Sequence, residues 1–211
     1  IADQFRFEPC DLPEHLGTLR EEVRAFLDHE LAGMSVVKRS GSWEAYDAEF
    51  SAKLGDRGWL GMTLPTAYGG HGLSAFERYV VVEECLVAGA PTAFHWVADR
   101  QSGPLLVRYA TEAQKQEIIP KITAGKACFA IGMSEPNSGS DLASLKTRAE
   151  RTSNGWLVNG TKIWTSNAHR ADYMIALFRT DSDPEKKHAA LSQFLIDLKK
   201  FNGITPRPIQ N

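Results

Sequence analysis

Met133-Ser134-Glu135-Pro136-Asn137-Ser138-Gly139-Ser140-Asp141 is the stretch around which the chain is organised, together with Trp164-Thr165-Ser166-Asn167 further on. The first places a proline beside small, hydroxyl-bearing residues, so several backbone N–H groups can converge on an anion without side chains in the way. The second carries a tryptophan whose wide face can cover a planar ring, with hydroxyls one and two residues later. Together they predict a site for a ligand that joins a phosphate to a flat ring.

Strand signals surround both stretches. Residues 129–133 form a short apolar run, residues 145–151 alternate, and Asn154-Gly155 is typical of a hairpin turn. Residues 173–178 and 194–196 are apolar enough for buried strands. We therefore predict an antiparallel, β-barrel-like domain over residues 127–211.

Helical signals fill the chain before residue 127. Apolar residues from 16 to 31 recur at three- and four-residue spacing, and a second helix is predicted for residues 43–57. Ser74 is placed to cap a third helix, and Thr111 with Gln114 matches a capping box. Pro120 is expected to interrupt or kink that last helix. The prediction is an α+β fold, with an all-α N-terminal domain over residues 1–126.

Polar residues interrupt the helix predicted for residues 92–109. If Asp99 and Arg100 line a ligand cavity, they disfavour a plain alkyl chain, because such a ligand leaves buried polar groups unpaired. The preferred interpretation is that both face solvent or pair with another helix. His95 is likewise expected to be a structural histidine.

Composition narrows the classes of function. With 24 basic and 26 acidic side chains, the chain has no electrostatic signature of nucleic-acid binding. No apolar run is long enough to span a bilayer. The three cysteines, Cys10, Cys85 and Cys128, are widely spaced, which favours reduced thiols, a cytoplasmic location and no metal site.

The two opening stretches resemble the acyl-CoA dehydrogenase family. Its middle domain carries a T/S-E-P-x-x-G-S-D segment followed by W-I-T/S-N, matched here from Ser134 to Asp141 and from Trp164 to Asn167. Thr165 departs from the family's frequent isoleucine. The N-terminal half also resembles the family's helical domain, so the resemblance covers nearly the whole chain.

The resemblance implies FAD as the cofactor and assigns roles to individual residues. Trp164 is expected to pack on the flavin face away from substrate, and Ser166 to hydrogen-bond flavin N5. Ser140 is expected to lie near both phosphate and the acyl-CoA substrate. The complete set of predicted cofactor-binding residues is Ile131, Met133, Ser134, Gly139, Ser140, Trp164, Thr165 and Ser166.

The implied reaction is the oxidation of an acyl-CoA thioester to its 2,3-enoyl-CoA, as in fatty-acid β-oxidation. Electrons are expected to pass to an electron-transferring flavoprotein, and a homotetramer or heterotetramer is the expected assembly. The family's catalytic glutamate comes from a C-terminal helical domain that we expect these 211 residues to lack. No catalytic residue is therefore assigned, and Glu135 is not given that role.

Two alternatives stay open at this point. A flavin-dependent monooxygenase or acyl-CoA oxidase of the same fold would pass electrons to oxygen. A non-catalytic scaffold subunit would keep the fold without flavin. Taken singly, a tryptophan is usually a core residue and a Ser-Gly-Ser segment a surface loop.

Overall fold

A computed structural model describes residues 11–201 and 203–209, so Cys10 lies outside the described residues. The helical half begins the chain and the sheet follows it. The α-helices are α1 (Leu16–Glu30), α2 (Val36–Ser40), α3 (Ala48–Asp56), α4 (Ala75–Val87), α5 (Gly103–Tyr109) and α6 (Glu112–Thr123). A π-helical turn, Ala98–Ser102, leads into α5, and short 3-10 turns lie at Thr66–Tyr68, Leu142–Ser144 and Pro184–Ala190.

Side-chain caps mark where several of the helices begin. Ser74 accepts the N–H of Phe76 at the start of α4, and Thr111 forms the predicted capping box with Gln114 at the start of α6. The helix predicted for residues 43–57 begins later, at Ala48, because the Asp47 carboxylate caps it there. That start was wrong by one turn.

The helical core forms between α1 and α4. Val23, Leu27, Val81 and Cys85 are all buried in one cluster, and the aromatic ring of Phe26 belongs to it as well. Apolar contact of this kind provides the main driving force for helix packing. The helical half therefore has a hydrophobic core of its own.

The strands are β1 (Phe129–Gly132), β2 (Arg148–Thr152), β3 (Gly155–Asn159), β4 (Tyr173–Arg179) and β5 (Leu191–Asp197). β4 is central: it pairs with β1 and β2 in parallel and with β5 in antiparallel orientation. β2 and β3 form the predicted hairpin across a two-residue turn. All five residues of β3 are exposed, and the described residues pair it only with β2.

The α+β class is confirmed, but the sheet differs from the antiparallel barrel that the sequence predicts. It is mixed, and it does not close among the described residues. The chain between β1 and β4 contains the site loop and the β2–β3 hairpin, which is long enough for a crossover. Such a crossover returns the chain in the same direction and so allows parallel pairing.

Helix α6 packs the helical half onto the sheet. Ile118, Ile119 and Ile122 are buried in one cluster with Phe129 of β1 and Tyr173 of β4. The buried isoleucines lie before and after Pro120 in the sequence, and the helix continues through the proline to Thr123. The expected interruption at Pro120 was wrong, because tertiary packing outweighs the local penalty. The strand that leads to the candidate site therefore starts from a buried junction.

No helix in the described part of the chain combines the length and the apolar character that a bilayer crossing requires.

Gly125 gives a test of how the end of α6 packs against α3. It has φ of 65°, and a Cβ there would collide with the Ser51 carbonyl. We expect Gly125→Ala to lower the free energy of unfolding by about 1–3 kcal/mol, from left-handed backbone strain and the clash. Urea denaturation measures this, with Gly17→Ala as the control because its Cβ would meet nothing within 4 Å. Equal stability of the two variants would contradict the packing described.

Candidate functional site

The two decisive stretches are adjacent in the structure. β1 ends at Gly132 and runs directly into the small-residue bend, while the tryptophan segment follows β3. The N–H of Ile163 donates to the carbonyl of Ser134 over 2.9 Å. One backbone hydrogen bond thus joins the bend to the residue just before Trp164.

A buried carboxylate stabilises the bend. Glu135 is 8% exposed and accepts the backbone N–H groups of Lys146 at 2.7 Å and Thr147 at 2.9 Å. It also accepts the ammonium of Lys162 at 2.9 Å. Burial opposes ionisation, but the surrounding donors outweigh it and lower the pKa of Glu135 to about 2. The carboxylate is therefore charged at neutral pH, and the loop that carries Lys146 is tied to the bend.

Lys162 links the two stretches through its side chain. Its ammonium also donates to the Met133 carbonyl at 2.9 Å and lies 5.6 Å from the centre of the Phe178 ring. Burial lowers the pKa of Lys162, and the Glu135 carboxylate opposes that shift. We refer to Lys162, Glu135 and the Met133 carbonyl as the clasp.

The rest of the bend is closed by hydroxyl groups and a short turn. Glu135 and Ser138 exchange two backbone hydrogen bonds, and the Ser138 hydroxyl lies 2.9 Å from that of Ser144. Beyond them, Gly139 and Ser140 are exposed, and a Cβ on Gly139 would meet nothing within 4 Å. The tip of the bend is therefore open to a ligand while its base is fixed.

The tryptophan segment has an unusual backbone. Trp164 has φ of 59° and Asn167 has φ of 60°, both in the left-handed region that few residues other than glycine adopt. The Trp164 side chain is 70% exposed, Ser166 is exposed, and the Thr165 hydroxyl is buried without a hydrogen-bond partner among the described residues. A large apolar ring thus stands uncovered beside the bend, where a planar ligand can stack.

Two of the predicted residues, Ile131 and Met133, border an open pocket of about 360 Å³ between the sheet and the π-helical turn. Its other lining residues are Gln101, Ser102, Leu105, Ile175 and Gln193. The pocket combines apolar walls with a few amide and hydroxyl groups, which is the usual composition of a small-molecule site. π-helical turns recur at functional sites.

Comparison with known proteins identifies the family. The acyl-CoA dehydrogenase N-terminal domain matches residues 13–126, and the acyl-CoA dehydrogenase middle domain matches residues 130–211. The chain belongs to the acyl-CoA dehydrogenase family. The family predicted from the two stretches is thereby confirmed.

Curated members of the family match most of this chain. Acyl-CoA dehydrogenase FadE26 of Mycobacterium tuberculosis is 37% identical over 186 residues, which is 84% of this chain and 46% of that protein. The mitochondrial isovaleryl-CoA dehydrogenase of Pongo abelii is 35% identical over 188 residues, which is 88% of this chain and 44% of that protein. The chain spans about half the length of the curated relatives it matches.

Solved members of the family have the same fold. The Tcur3481-Tcur3483 steroid ACAD superposes with a TM-score of 0.85 at 37% identity, covering 96% of this chain and 52% of that one. A glutaryl-CoA dehydrogenase from Mycobacterium smegmatis in complex with FADH2 has a TM-score of 0.76 at 28% identity, covering 94% and 49%. The arrangement of helices and sheet is therefore the one found in this family.

In this acyl-CoA dehydrogenase family member, sequence reasoning missed the clasp. The sequence patterns place Glu135 in the bend and single out no role for Lys162. The available signal was an acidic residue inside the bend and a basic residue two positions before the tryptophan, in segments that were already predicted to meet. Buried charges of opposite sign are usually paired.

In this family member, two polar side chains of the segment 92–109, Asp99 and His95, make contacts within the protein. Asp99 accepts the N–H of Gly61 at 2.7 Å and pairs with Arg78 of α4 at 3.3 Å. His95 lies 2.8 Å from the Ser51 hydroxyl, and burial lowers the pKa of its imidazole to about 4. The preferred interpretations of Asp99 as a partner of another helix and of His95 as structural are confirmed.

The described thiols of this family member are buried. Burial raises the pKa of Cys85 and of Cys128 to about 12, so both are protonated at neutral pH. Within the described residues, no group of three or more His, Cys, Asp or Glu side chains is placed to hold a metal ion.

Glu135 gives a pH-dependent test of the site. Because its pKa is lowered from 4.5 to about 2 in the folded state, its stabilising effect is complete above about pH 4.5 and is lost as the pH falls toward 2. We expect that loss to be on the order of 2 kcal/mol in the wild-type chain and absent in Glu135→Gln. Urea denaturation between pH 2 and 6 measures it.

The control for this test is Glu117→Gln, which removes a carboxylate whose side chain is 54% exposed. That variant is expected to keep the wild-type dependence on pH. If Glu135→Gln and wild type lose stability in parallel across this range, Glu135 is not the buried, hydrogen-bonded carboxylate described.

Proposed function

We propose that this chain forms the helical and flavin-binding parts of an FAD-dependent acyl-CoA dehydrogenase, divided near residue 127. The observation that carries the proposal is the hydrogen bond from Ile163 to Ser134, which brings the bend beside the segment that presents Trp164. A ligand that joins a pyrophosphate to a planar ring needs an anion cradle next to an apolar platform. Family membership favours FAD as that ligand.

The residues present fit this cofactor. Trp164 offers an exposed aromatic face, and the open space at Gly139 leaves the bend accessible to phosphate oxygens. Ile131 and Met133 add apolar surface at the neighbouring pocket. Stacking on an aromatic face and hydrogen bonding at a small-residue bend are complementary to the two halves of a flavin nucleotide.

The proposal gives the predicted residues roles that follow the family resemblance. Trp164 covers one face of the ring and excludes water from it, while the Ser134 and Ser166 hydroxyls orient its polar edge. Gly139 and Ser140 hold phosphate, and Ser140 also lies close to the acyl-CoA. When bound, FAD supplies the acceptor for the hydride that the substrate loses.

The proposed reaction oxidises an acyl-CoA thioester to its 2,3-enoyl-CoA. The described residues assign no catalytic base: Glu135 is held in the clasp, Asp99 is paired with Arg78, and His95 is bonded to Ser51. The base and the rest of the acyl-CoA site belong, in this proposal, to a helical domain outside these residues.

We propose the substrate class and the assembly from the names of related proteins. They include isovaleryl-CoA and glutaryl-CoA dehydrogenases and a steroid ACAD, so branched, dicarboxylic and steroid acyl groups are the candidates. One solved relative is the ChsE4-ChsE5 complex of Mycobacterium tuberculosis, which favours a heteromeric assembly over a homotetramer. An electron-transferring flavoprotein is the proposed electron acceptor.

The direct test of the proposal is anaerobic titration of the complete, FAD-loaded protein with acyl-CoA thioesters. We expect isovaleryl-CoA, glutaryl-CoA or a steroid acyl-CoA to bleach the visible absorption of the oxidised flavin, with formation of the 2,3-enoyl-CoA. Free coenzyme A is the control, because it has no acyl group to oxidise.

Three results would contradict this function. Bleaching by acyl-CoA followed by rapid reoxidation in air would favour an acyl-CoA oxidase, which shares the first half of the reaction and passes the electrons to oxygen. Rapid reoxidation of reduced flavin with no bleaching by any acyl-CoA would favour a monooxygenase. A complete protein that is colourless and stays so after incubation with FAD would favour a scaffold subunit.

Trp164 gives a test of the platform. We expect Trp164→Asn to weaken FAD binding by roughly tenfold or more, because stacking on the indole is lost while asparagine still tolerates a left-handed backbone. Isothermal titration of apoprotein with FAD measures this. Trp156→Ala is the control, since Trp156 is 44% exposed on β3 and belongs to neither stretch. Equal affinity of Trp164→Asn and wild type would exclude Trp164 as the platform.

A further inference from the structure

Lys162 occupies an unusual position for a lysine. Its side chain is only 9% exposed, and it lies two residues before Trp164. The ammonium has two oxygen partners, Glu135 and the carbonyl of Met133, each at 2.9 Å. Lysine is rarely buried to this extent unless it is paired, so the position is defined by these partners.

Lys162 and Ile163 together hydrogen-bond to three consecutive residues at the base of the bend. Lys162 bonds to Met133 and to Glu135, and Ile163 bonds to the residue between them, Ser134. A single hydrogen bond would allow the two stretches to rotate about it. Contacts on both sides of that bond remove this freedom, so the orientation of one stretch fixes the orientation of the other.

The clasp also decides which backbone groups the bend can offer to a ligand. The carbonyls of Met133 and Ser134 are taken by Lys162 and Ile163. Ser134 itself is partly exposed. This edge therefore offers a hydroxyl donor where free carbonyl oxygens would otherwise stand. A flavin edge carries carbonyl oxygens and ring nitrogens, which accept such donors.

The other side of the clasp is equally constrained. Glu135 accepts the N–H groups of Lys146 and Thr147, so its carboxylate cannot follow Lys162 if the lysine moves. Downstream, Trp164 keeps a left-handed backbone, which persists only where the surrounding structure over-determines it. Lys162 lies two residues before that tryptophan and carries a buried charge.

We infer that Lys162 is a positioning residue of the flavin site: by holding the Met133 carbonyl and the Glu135 carboxylate, it sets the placement of the Trp164 platform relative to the phosphate-binding bend. This inference rests on the proposed function. A buried ion pair is by itself a weak contributor to stability and is often replaceable by apolar residues. What apolar residues cannot replace is the direction in which the pair holds two ligand-binding segments.

The test compares three variants of the complete apoprotein with wild type. Lys162→Met removes the ammonium, and the double variant Glu135→Gln, Lys162→Met removes both charges, so that no carboxylate is left buried and unpaired. Lys186→Met is the matched control, because it breaks an exposed ion pair with Asp181 elsewhere in the same half of the chain. The measurements are FAD affinity by titration, the absorption spectrum of bound FAD, and the melting temperature.

We expect Lys162→Met to weaken FAD binding by roughly ten- to a hundredfold, because a displacement of about 1 Å at a site has effects of this size. The absorption maximum of bound FAD should also shift, since the donors around the ring have moved. In the double variant the melting temperature should recover toward wild type while FAD binding stays weak, because the Met133 carbonyl remains released. Lys186→Met should match wild type in FAD affinity and spectrum.

The double variant decides the test where the single variant does not fold. If its FAD affinity and spectrum return to wild type together with its melting temperature, Lys162 acts only on stability and the inference is overturned. Unchanged FAD binding by Lys162→Met would overturn it as well. Failure of the proposed function is a different result, because wild-type apoprotein would then not bind FAD at all.

Discussion

The candidate site depends on one buried negative charge. Glu135 sits where three parts of the chain meet: the bend itself, the residues leading into β2, and the segment before Trp164. A charge removed from water must be matched by donors, and here two backbone N–H groups and one ammonium provide them. The need to supply this carboxylate with donors thus sets the position of all three parts. The bend and the segment that leads into Trp164 meet because the bend supplies the carboxylate and the segment supplies the lysine that pairs with it.

The sheet brings these contributions together. β5 pairs along the whole of one edge of β4, so β1 and β2 share the other edge, β1 with its first four residues and β2 with its last. The bend that follows β1 and the loop that precedes β2 therefore lie next to each other at that edge. Behind the sheet, the isoleucines of α6 bury Phe129 at the start of β1. Packing in the helical half therefore controls where the bend begins. The exposed tip of the bend adds little to this core, which leaves its residues available for a ligand.

Local signals predicted much of this arrangement, and long-range pairing explains the rest. Ser74 and Thr111 defined helix starts because a capping side chain acts within a few residues. Ser134 and Trp164 matched a family pattern that places them in one site. The parallel pairing of β4 was not predictable in this way, since no local pattern reports the direction of a distant partner strand. The predicted interruption at Pro120 was wrong for a related reason, because burial of the neighbouring isoleucines against the sheet outweighs the local effect of the proline. Lys162 was overlooked because burial of a lysine depends on a partner far away in sequence.

The hairpin edge has a consequence for handling the protein. β3 is exposed at all five residues, including Trp156, Leu157 and Val158, and the described residues give it a partner on one side only. A strand with free N–H and C=O groups and apolar side chains is a template on which other chains add by β-augmentation. The 211-residue chain should therefore self-associate as its concentration rises. Replacing Leu157 by lysine is the simplest way to suppress this association.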